Sequence, residues 1–342
     1  MTNILVMCLE PIPSAIAGVL KPLKSQEPRG FITVVFKKTC QIRKSDLDKC
    51  DALICVRGSE KIELKIIKAC KDAGKFCVYY LDDDLLAIPD FVGSAEYFAN
   101  SDVASNIKNI IKECDCLWTT NPNIAKKYSS FCQRVVITKG PALLLGTTKK
   151  QKNDQIIRVG FAGSTDYAKC IDNILRVPLL EISGKYGDKI SFEFLGAKPQ
   201  IIKELKNAKY FPYIENPEEY ALFMESCQWD IGLAPLPDGE FFRCKYFNKF
   251  LEYGASGIAG IYSKVEPFLF IVEHGINGFL CENTNDSWIE AITELIENEK
   301  LRQDIIDNAR TLLKQNFTVD AVGNEIVEKI PELINTGFSN RK

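Results

Sequence analysis

The stretch DIGLAPLPDGEFFRCKYFNKFLEYGASGIAGIYSKVEPFLFIVEHGINGFL, residues 230–280, decides the fold of this chain. It begins as a buried strand over Ile231–Leu236 and continues into a loop rich in cationic side chains. A helix over Lys245–Tyr253 follows, ending at glycines and feeding a short apolar strand, Ile258–Tyr262. The loop and helix start set Arg243, Lys245 and Lys249 beside backbone N–H groups that have no intrahelical partner. Fixed cations at a helix N-terminus suit a diphosphate. Glu252, one or two turns along, can accept hydrogen bonds from a pair of sugar hydroxyls. A phosphate end and a hydroxyl end together point to a sugar nucleotide.

Outward from this stretch, apolar runs of strand length alternate with amphipathic stretches along the whole chain. The first cycle predicts strands at Ile4–Leu9, Phe31–Phe36, Ala52–Val56, Phe76–Leu81, Cys116–Thr119 and Arg134–Thr138. Helices are predicted between them at Glu60–Ala73, Ser105–Glu113 and Ile124–Phe131. Such alternation implies parallel strands with helices on both faces. The segment 141–154, polar and turn-rich toward its end, reads as a linker.

The cycle then restarts with strands at Ile156–Phe161, Ile190–Leu195, Tyr210–Tyr213, Asp230–Leu236, Ile258–Tyr262 and Gly278–Cys281. Helices are predicted at Tyr167–Ser183, Gln200–Asn207, Pro217–Ser226, Lys245–Tyr253 and Trp288–Glu297, then at about Lys300–Gln315 and Val319–Leu333. A chain of 342 residues also exceeds what one hydrophobic core usually serves. The expected class is therefore α/β, with two Rossmann-like doubly wound domains and an interdomain cleft. The domains are expected at 1–150 and 151–318, followed by a terminal helix over 319–342. Ligands of such domains bind outside the carboxyl ends of the strands, at switch points.

Composition narrows the partners. With 46% hydrophobic and 26% charged residues the chain has the balance of an ordinary globular protein, and a formal charge of −2 argues against nucleic acid. Its 13 cysteines lie at scattered spacings with no C-x-x-C pair, and there is one histidine, so no metal site is expected. They read as reduced thiols used as small hydrophobes, which suggests a cytoplasmic location. The apolar start, interrupted by Pro11 and Pro13, reads as a strand and loop. No apolar run reaches the ~18–20 residues of a membrane span.

The order F-x-x-x-K-x-x-x-K-F-L-E-Y-G-A-S-G from Phe241 to Gly257, followed by a short strand and then EHGINGFL, resembles bacterial glycosyltransferases of the GT-B fold, in the group that includes retaining glycosyltransferase family 4. The resemblance is strongest from about Ile157 to Arg310. It implies a GT-B architecture with the donor nucleotide on the C-terminal domain, the acceptor on the N-terminal one, and a last helix that crosses back. Lys245 looks like the lysine that recurs here in the family. Glu252 resembles the second glutamate of the family's E-x7-E motif, which binds ribose. The first glutamate would fall at position 244, where this chain has Cys244.

Other motifs fit the same frame. Gly160–Thr165 forms a strand-to-helix turn in which Gly163 permits close backbone approach and Ser164 can bond phosphate; Lys169 is the nearby cation, and the alternative is a turn capped by Ser164. Base contacts are expected near Gly196–Lys198 and Tyr213–Asn216. Asp82-Asp83-Asp84 follows a buried strand, and adjacent carboxylates repel one another. The three can be a solvated loop or cap, or supply a cleft carboxylate from Asp83 or Asp84, as the family's DDDL segment suggests. They can also mimic the D-x-D metal motif of the unrelated GT-A fold. His274 reads as a helix-end cap. Between residues 21 and 44, Lys21, Lys24, Arg29, Lys37, Lys38, Arg43 and Lys44 face one acid, Glu27. That patch suits either a solvated face or an anionic membrane leaflet.

The function implied is transfer of a hexose-type sugar from a nucleoside-diphosphate sugar to an acceptor hydroxyl, with retention, in cell-surface glycan biosynthesis. Asp83, Asp84, Arg243 and Lys245 are the expected catalytic groups. Gly163, Ser164, Lys169, Gly196, Arg243, Lys245 and Glu252 are the expected donor-binding residues. No cofactor or metal is required in this scheme; the partners are the nucleotide-sugar donor and a glycan or lipid-linked acceptor, with peripheral membrane contact. A non-catalytic sugar-nucleotide or glycan-binding protein is the alternative, kept open by Cys244 and by the lack of an N-terminal-half histidine.

Overall fold

The computed structural model describes residues 1–143 and 154–335. Residues 144–153, most of the expected linker, and residues 336–342 at the end of the expected terminal helix lie outside the described residues. The chain divides into two compact units: Met1–Pro141 with Cys244–Tyr246 and Asn316–Lys342, and Ala142–Arg243 with Phe247–Gln315.

The first unit runs β1 (Thr2–Cys8), α1 (Lys21–Lys24), β2 (Ile32–Lys38), α2 (Lys44–Lys49), β3 (Ala52–Val56), α3 (Lys61–Asp72), β4 (Phe76–Leu81), α4 (Ala95–Ala99), α5 (Ser101–Glu113), β5 (Cys116–Thr119), α6 (Pro122–Tyr128) and β6 (Val135–Ile137). Its six strands are parallel in the order β2-β1-β3-β4-β5-β6. Strands β3 and β5 are buried at every position, as expected of parallel strands covered on both faces. The cysteines serve here as packing: Cys55, Cys70, Cys77 and Cys114 sit in one apolar cluster with Ile67, Tyr79 and Ile107.

The second unit runs β7 (Ile157–Gly163), α7 (Ala168–Tyr186), β8 (Ile190–Gly196), β9 (Ala208–Phe211), α8 (Pro217–Ser226), β10 (Ile231–Ala234), α9 (Glu240–Arg243), α10 (Asn248–Ser256), β11 (Ala259–Ser263), β12 (Phe279–Cys281), α11 (Asn285–Glu297) and α12 (Glu299–Asn316). Its parallel order is β12-β11-β10-β7-β8-β9, the Rossmann order with its switch between β7 and β10. Close packing demands small residues in this sheet: a Cβ on Gly160 would fall 1.9 Å from the Trp229 ring.

The closing helix, α13 (Val319–Lys329), belongs to the first unit. Val322 and Ile326 join the cluster of Val19, Leu23 and Ile32. Gly323 is the contact point with α1, since a Cβ there would lie 2.4 Å from the Pro22 carbonyl oxygen.

The short helices α1, α2, α4 and α9 were not expected, α13 ends at Lys329 short of the expected Leu333, and two further expected helices are changed. The stretch expected as a helix over Gln200–Asn207 forms only a 3-10 turn at Gln200–Lys203 before β9 begins. The helix expected from Lys245 starts at Asn248, because Cys244–Tyr246 is drawn into the first unit. No helix among the described residues is long and apolar enough to cross a membrane.

Candidate functional site

In the second unit the turn after β7 and the loop after β10 flank the switch point. Gly163 and Gly196 are register partners at the carboxyl ends of β7 and β8. Gly196 has φ of +80°, and a Cβ there would stand 2.1 Å from the Gly163 carbonyl oxygen. Only glycine fits both the backbone and the space. Ser164 is half-buried and leads into a 3-10 turn before α7, while Lys169 is exposed on the first turn of that helix.

The loop after β10 is pinned by a small polar net. The Leu236 N–H donates to Ser263 Oγ at 2.8 Å, Ser263 Oγ lies 2.7 Å from Asn283 Oδ1, and Asn283 Nδ2 donates to the Leu236 carbonyl at 2.9 Å. Arg243 ends α9 and forks onto Asp238 at 2.7 and 2.8 Å, both side chains being about half exposed. Its guanidinium is thus tied to the same loop, with Glu266 adding to the negative charge around it.

Lys249 and Glu252 share one face of α10. Lys249 Nζ lies 2.6 Å from Glu252 Oε2, and the Tyr220 hydroxyl donates to the same oxygen at 2.6 Å. Glu252 remains 27% exposed, so its carboxylate is open to a ligand. Helix α10 starts without a side-chain cap, which leaves its first amides for water or an anion.

The first unit holds a second charged constellation at the carboxyl ends of β3 and β4. Arg57 follows β3 directly and has φ of +49°, a left-handed conformation uncommon for a side-chain-bearing residue. Its Nε lies 2.5 Å from Asp82 Oδ1 and its Nη2 2.8 Å from Asp83 Oδ2. Lys245 Nζ reaches Asp83 Oδ1 at 2.9 Å, so Asp83 bridges two cations. Burial works to raise its pKa, but Arg57 and Lys245 outweigh that and hold Asp83 below the usual carboxylate range. Burial likewise works against the Arg57 charge, and Asp82 with Asp83 overcomes it, keeping the guanidinium firmly protonated.

Asp84, expected beside the reacting centre, points elsewhere. Its side chain is fully buried, 2.6 Å from Lys127 Nζ, and it accepts from the Tyr128 hydroxyl at 2.6 Å and the Leu86 N–H at 3.3 Å. A carboxylate held by three donors in the interior joins β4 to α6. The three aspartates are therefore not a solvated loop: Asp82 and Asp83 are paired with Arg57, and Asp84 is buried.

Cys244 is buried in the cluster with Leu85, Ile107 and Tyr128. Beside it, Asn121 Nδ2 donates to the Lys245 carbonyl at 2.7 Å, and the Gly140 N–H donates to the Tyr246 hydroxyl at 2.8 Å. The segment is thus clasped on both sides of Lys245. His274 is not a helix cap: its Nδ1 accepts from the Leu280 N–H at 3.0 Å, closing the loop before β12. In the basic segment, Lys37 pairs with Asp46 and Lys38 with Glu10.

Sequence reasoning missed Arg57 and Tyr220. Arg57 carried a usable signal, a cation placed straight after the wholly apolar run Ala52–Val56. Tyr220 carried none, since only the packing of α8 against α10 brings it to Glu252.

The signature described as "Glycosyl transferases group 1" matches residues 249–312, which begin at Lys249 and include Glu252. No curated protein sequence matches the chain. Among solved structures, HepE of Anabaena in complex with UDP-glucose superposes with a TM-score of 0.66 at 14% identity, covering 97% of this chain and 100% of that one. A glycosyltransferase from Rickettsia africae gives 0.67 at 11% identity, covering 99% of each chain. Sucrose-phosphate synthase from Thermosynechococcus elongatus gives 0.67 at 12% identity, covering 97% of this chain and 99% of that one. Two parallel six-stranded sheets in separate units give this chain the GT-B fold of these structures, and its segment from α10 to α12 resembles group 1 glycosyl transferases.

Proposed function

We propose that the chain moves a hexose-type sugar from a nucleoside-diphosphate sugar to an acceptor hydroxyl, with retention of configuration, in building a cell-surface glycan. The observation that carries this reading is the switch point between β7 and β10. Gly163 and Gly196 end β7 and β8 there, the Arg243 loop follows β10, and α10, which carries Lys249 and Glu252, leads from that loop into β11. The diphosphate is assigned to the Gly163–Ser164 turn, Lys169, Arg243 and the amides of α10, and ribose to Glu252. HepE, crystallised with UDP-glucose, shares the fold and makes UDP-sugars the first donors to try.

In this scheme the bond from the anomeric carbon to the phosphate oxygen breaks as the acceptor oxygen bonds to the same face. The acceptor proton passes to the departing phosphate oxygen, and fixed cations and helix-end N–H groups stabilise the charge that builds up there. Asp83, kept ionised by its two cations, is assigned to orienting the acceptor hydroxyl or stabilising the oxocarbenium-like centre. Lys245 was also assigned to phosphate on sequence grounds; its pairing with Asp83 puts a carboxylate in competition for that cation. The cations present support a reaction that needs no added metal.

The buried thiols support a reducing, cytoplasmic setting. Lys21, Lys24, Arg29 and Lys44 support peripheral contact with an anionic leaflet and a lipid-linked or glycan acceptor; sedimentation with anionic vesicles, set against neutral ones, checks the membrane part.

The decisive experiment is incubation with UDP-, GDP- and ADP-sugars, following release of free nucleoside diphosphate with and without chelator. Release that chelator leaves unchanged is the expected result. Stabilisation by nucleotide without turnover would favour the non-catalytic binder, and neither stabilisation nor turnover would remove the donor-site assignment.

A further inference from the structure

In the first unit the strand order reverses between β1 and β3, which puts a ligand of that sheet outside the carboxyl ends of its strands. One polar group at those ends has no partner. Thr120 follows β5 and is 7% exposed; its Oγ1 is buried with no group at bonding geometry among the described residues, the nearby Tyr80 hydroxyl included. A buried hydroxyl left unbonded is costly, and a partner arriving from outside relieves the cost. Leu81 and Thr119 are the last register partners of β4 and β5, so Asp82 and Thr120 stand side by side one residue further on. Both continue the face of Tyr80 and Trp118. Burial, and then the Asp82 charge, push the Tyr80 phenol well above its ordinary pKa, so it keeps its proton. The π-helical turn Ser14–Leu20 after β1 reaches the same place: a Cβ on Gly18 would stand 3.0 Å from the Tyr80 hydroxyl.

The charges here are balanced. Arg57 Nε pairs with Asp82 Oδ1 at 2.5 Å and its Nη2 with Asp83 Oδ2 at 2.8 Å, while Lys245 meets Asp83 Oδ1 at 2.9 Å. An anion arriving at this end therefore meets an acid already on each of these cations. A hydroxyl meets no such rival. Asp82 is 16% exposed, and among the described residues its Oδ2 takes no donor. The hydroxyls of Thr120 and Tyr80 can each donate or accept. We propose that Asp82, Thr120 and Tyr80 form a subsite for an uncharged, hydroxyl-rich acceptor sugar, with Asp82 Oδ2 accepting from one ring hydroxyl and Thr120 Oγ1 bonding its neighbour. The inference rests on the reading of the chain as a sugar transferase whose acceptor lies on the first unit. To that reading it adds the chemical class of the acceptor and three residues that the scheme above leaves unused.

The test is calorimetric titration of the full chain with methyl glucosides, galactosides and mannosides, and with the matching methyl uronosides and hexoside 6-phosphates, for wild type, Asp82→Asn, Thr120→Val and Thr120→Ser. In wild type at least one neutral glycoside binds, and its uronic-acid and phosphate counterparts bind about tenfold more weakly or worse. Thr120→Val keeps the shape and removes an unbonded hydroxyl, so it melts no lower than wild type; yet it weakens the glycoside about three- to tenfold, and Thr120→Ser recovers most of that loss. Asp82→Asn weakens the same glycoside about tenfold, the scale of one charge-assisted hydrogen bond. All three variants bind UDP within about twofold of wild type, because the donor is assigned to the second unit. Glycoside affinity unchanged in either Thr120→Val or Asp82→Asn would show that the group merely packs. Equal or tighter binding of the uronoside or the phosphate would show a site for anions. Either result overturns the proposal, as does a chain that binds UDP but none of the glycosides, which leaves the donor site in place. Failure to bind UDP, GDP or ADP removes the donor-site reading by itself, since the glycoside ratios do not depend on it.

Discussion

Replacing Cys244 by glutamate restores, on paper, the acid that the resembled family carries at this position. The structure predicts the opposite of a repair. Cys244 is 2% exposed and packs in the first unit's apolar cluster with Leu85 and Tyr128. A longer side chain there overpacks the site, at about 1–3 kcal/mol. Its carboxylate must also be stripped of water, a penalty of several kcal/mol that the group escapes in part by staying protonated. Together these give a loss of about 4 kcal/mol, or roughly 8–16 °C in melting temperature at about 2–4 °C per kcal/mol. The pH dependence has a definite sign. Burial raises the folded-state pKa of the new acid above its unfolded value, so the variant suffers least below the unfolded pKa and loses stability as pH rises. Thermal melts at about pH 5 and pH 8 should show the larger deficit at pH 8, while Cys244→Ser stays within about 2 kcal/mol of wild type. A glutamate variant that melts like wild type and turns over donor faster would show that position 244 faces ligand. The packing argument would then be wrong.

The two aspartates should separate cleanly. Asp84→Ala strands the buried Tyr128 hydroxyl and costs about 3 kcal/mol, somewhat less than a fully buried pair because Lys127 can turn to water; Asp83→Asn should keep most of the stability and lose turnover, as melts and donor-release rates would show. Arg57→Gln removes one of the two cations that hold the Asp83 pKa down against burial. Because that pKa is lowered in the folded wild type, the Asp83 contribution is present above the unfolded value and lost as pH falls through the folded one. The variant should therefore show the acid limb of its pH–rate profile moved to higher pH; an unmoved limb would exclude Asp83 from the reaction. Gly196→Ala meets both a positive φ and the Gly163 carbonyl and should lose about 2–4 kcal/mol, measured by denaturant unfolding.

Most of the fold is legible in local pattern because parallel strands buried on both faces have few polar positions to confuse them. Ala52–Val56, Phe76–Leu81 and Cys116–Thr119 are apolar but for the closing Thr119, and each has the predicted bounds. The misreadings fall where local pattern and tertiary packing disagree. Gln200–Asn207 has helical spacing, but the register of β9 against β8 claims Ala208–Phe211 and leaves room for a single turn. Lys245 to Phe247 has helical spacing too, yet Cys244 is worth more buried in the first unit's cluster than exposed on an extra helical turn. That cysteine, an oddity when compared with a family motif, is in packing terms an ordinary small hydrophobe.

The site shows the same division more sharply. Glycines announce themselves through turns, and Gly163 and Gly196 were visible for that reason. Charged groups do not, because a sequence lists cations and acids without saying which neutralise one another. Arg243 is opposed by Asp238, Lys249 by Glu252, and Lys245 by Asp83, so three of the expected cations are already held by carboxylates. On the proposed donor-site assignment, a diphosphate meeting Arg243 competes with Asp238, and its affinity is the difference between two charge-assisted pairings, far less than their sum. Pairing also has a use: a cation held near its place by a carboxylate loses little conformational freedom when phosphate replaces that partner. Asp238→Asn should therefore change donor affinity by less than about tenfold in either direction, since Arg243 gains attraction for phosphate as it loses one of the groups that hold it. A change beyond a hundredfold would mean that the carboxylate does more than hold the arginine.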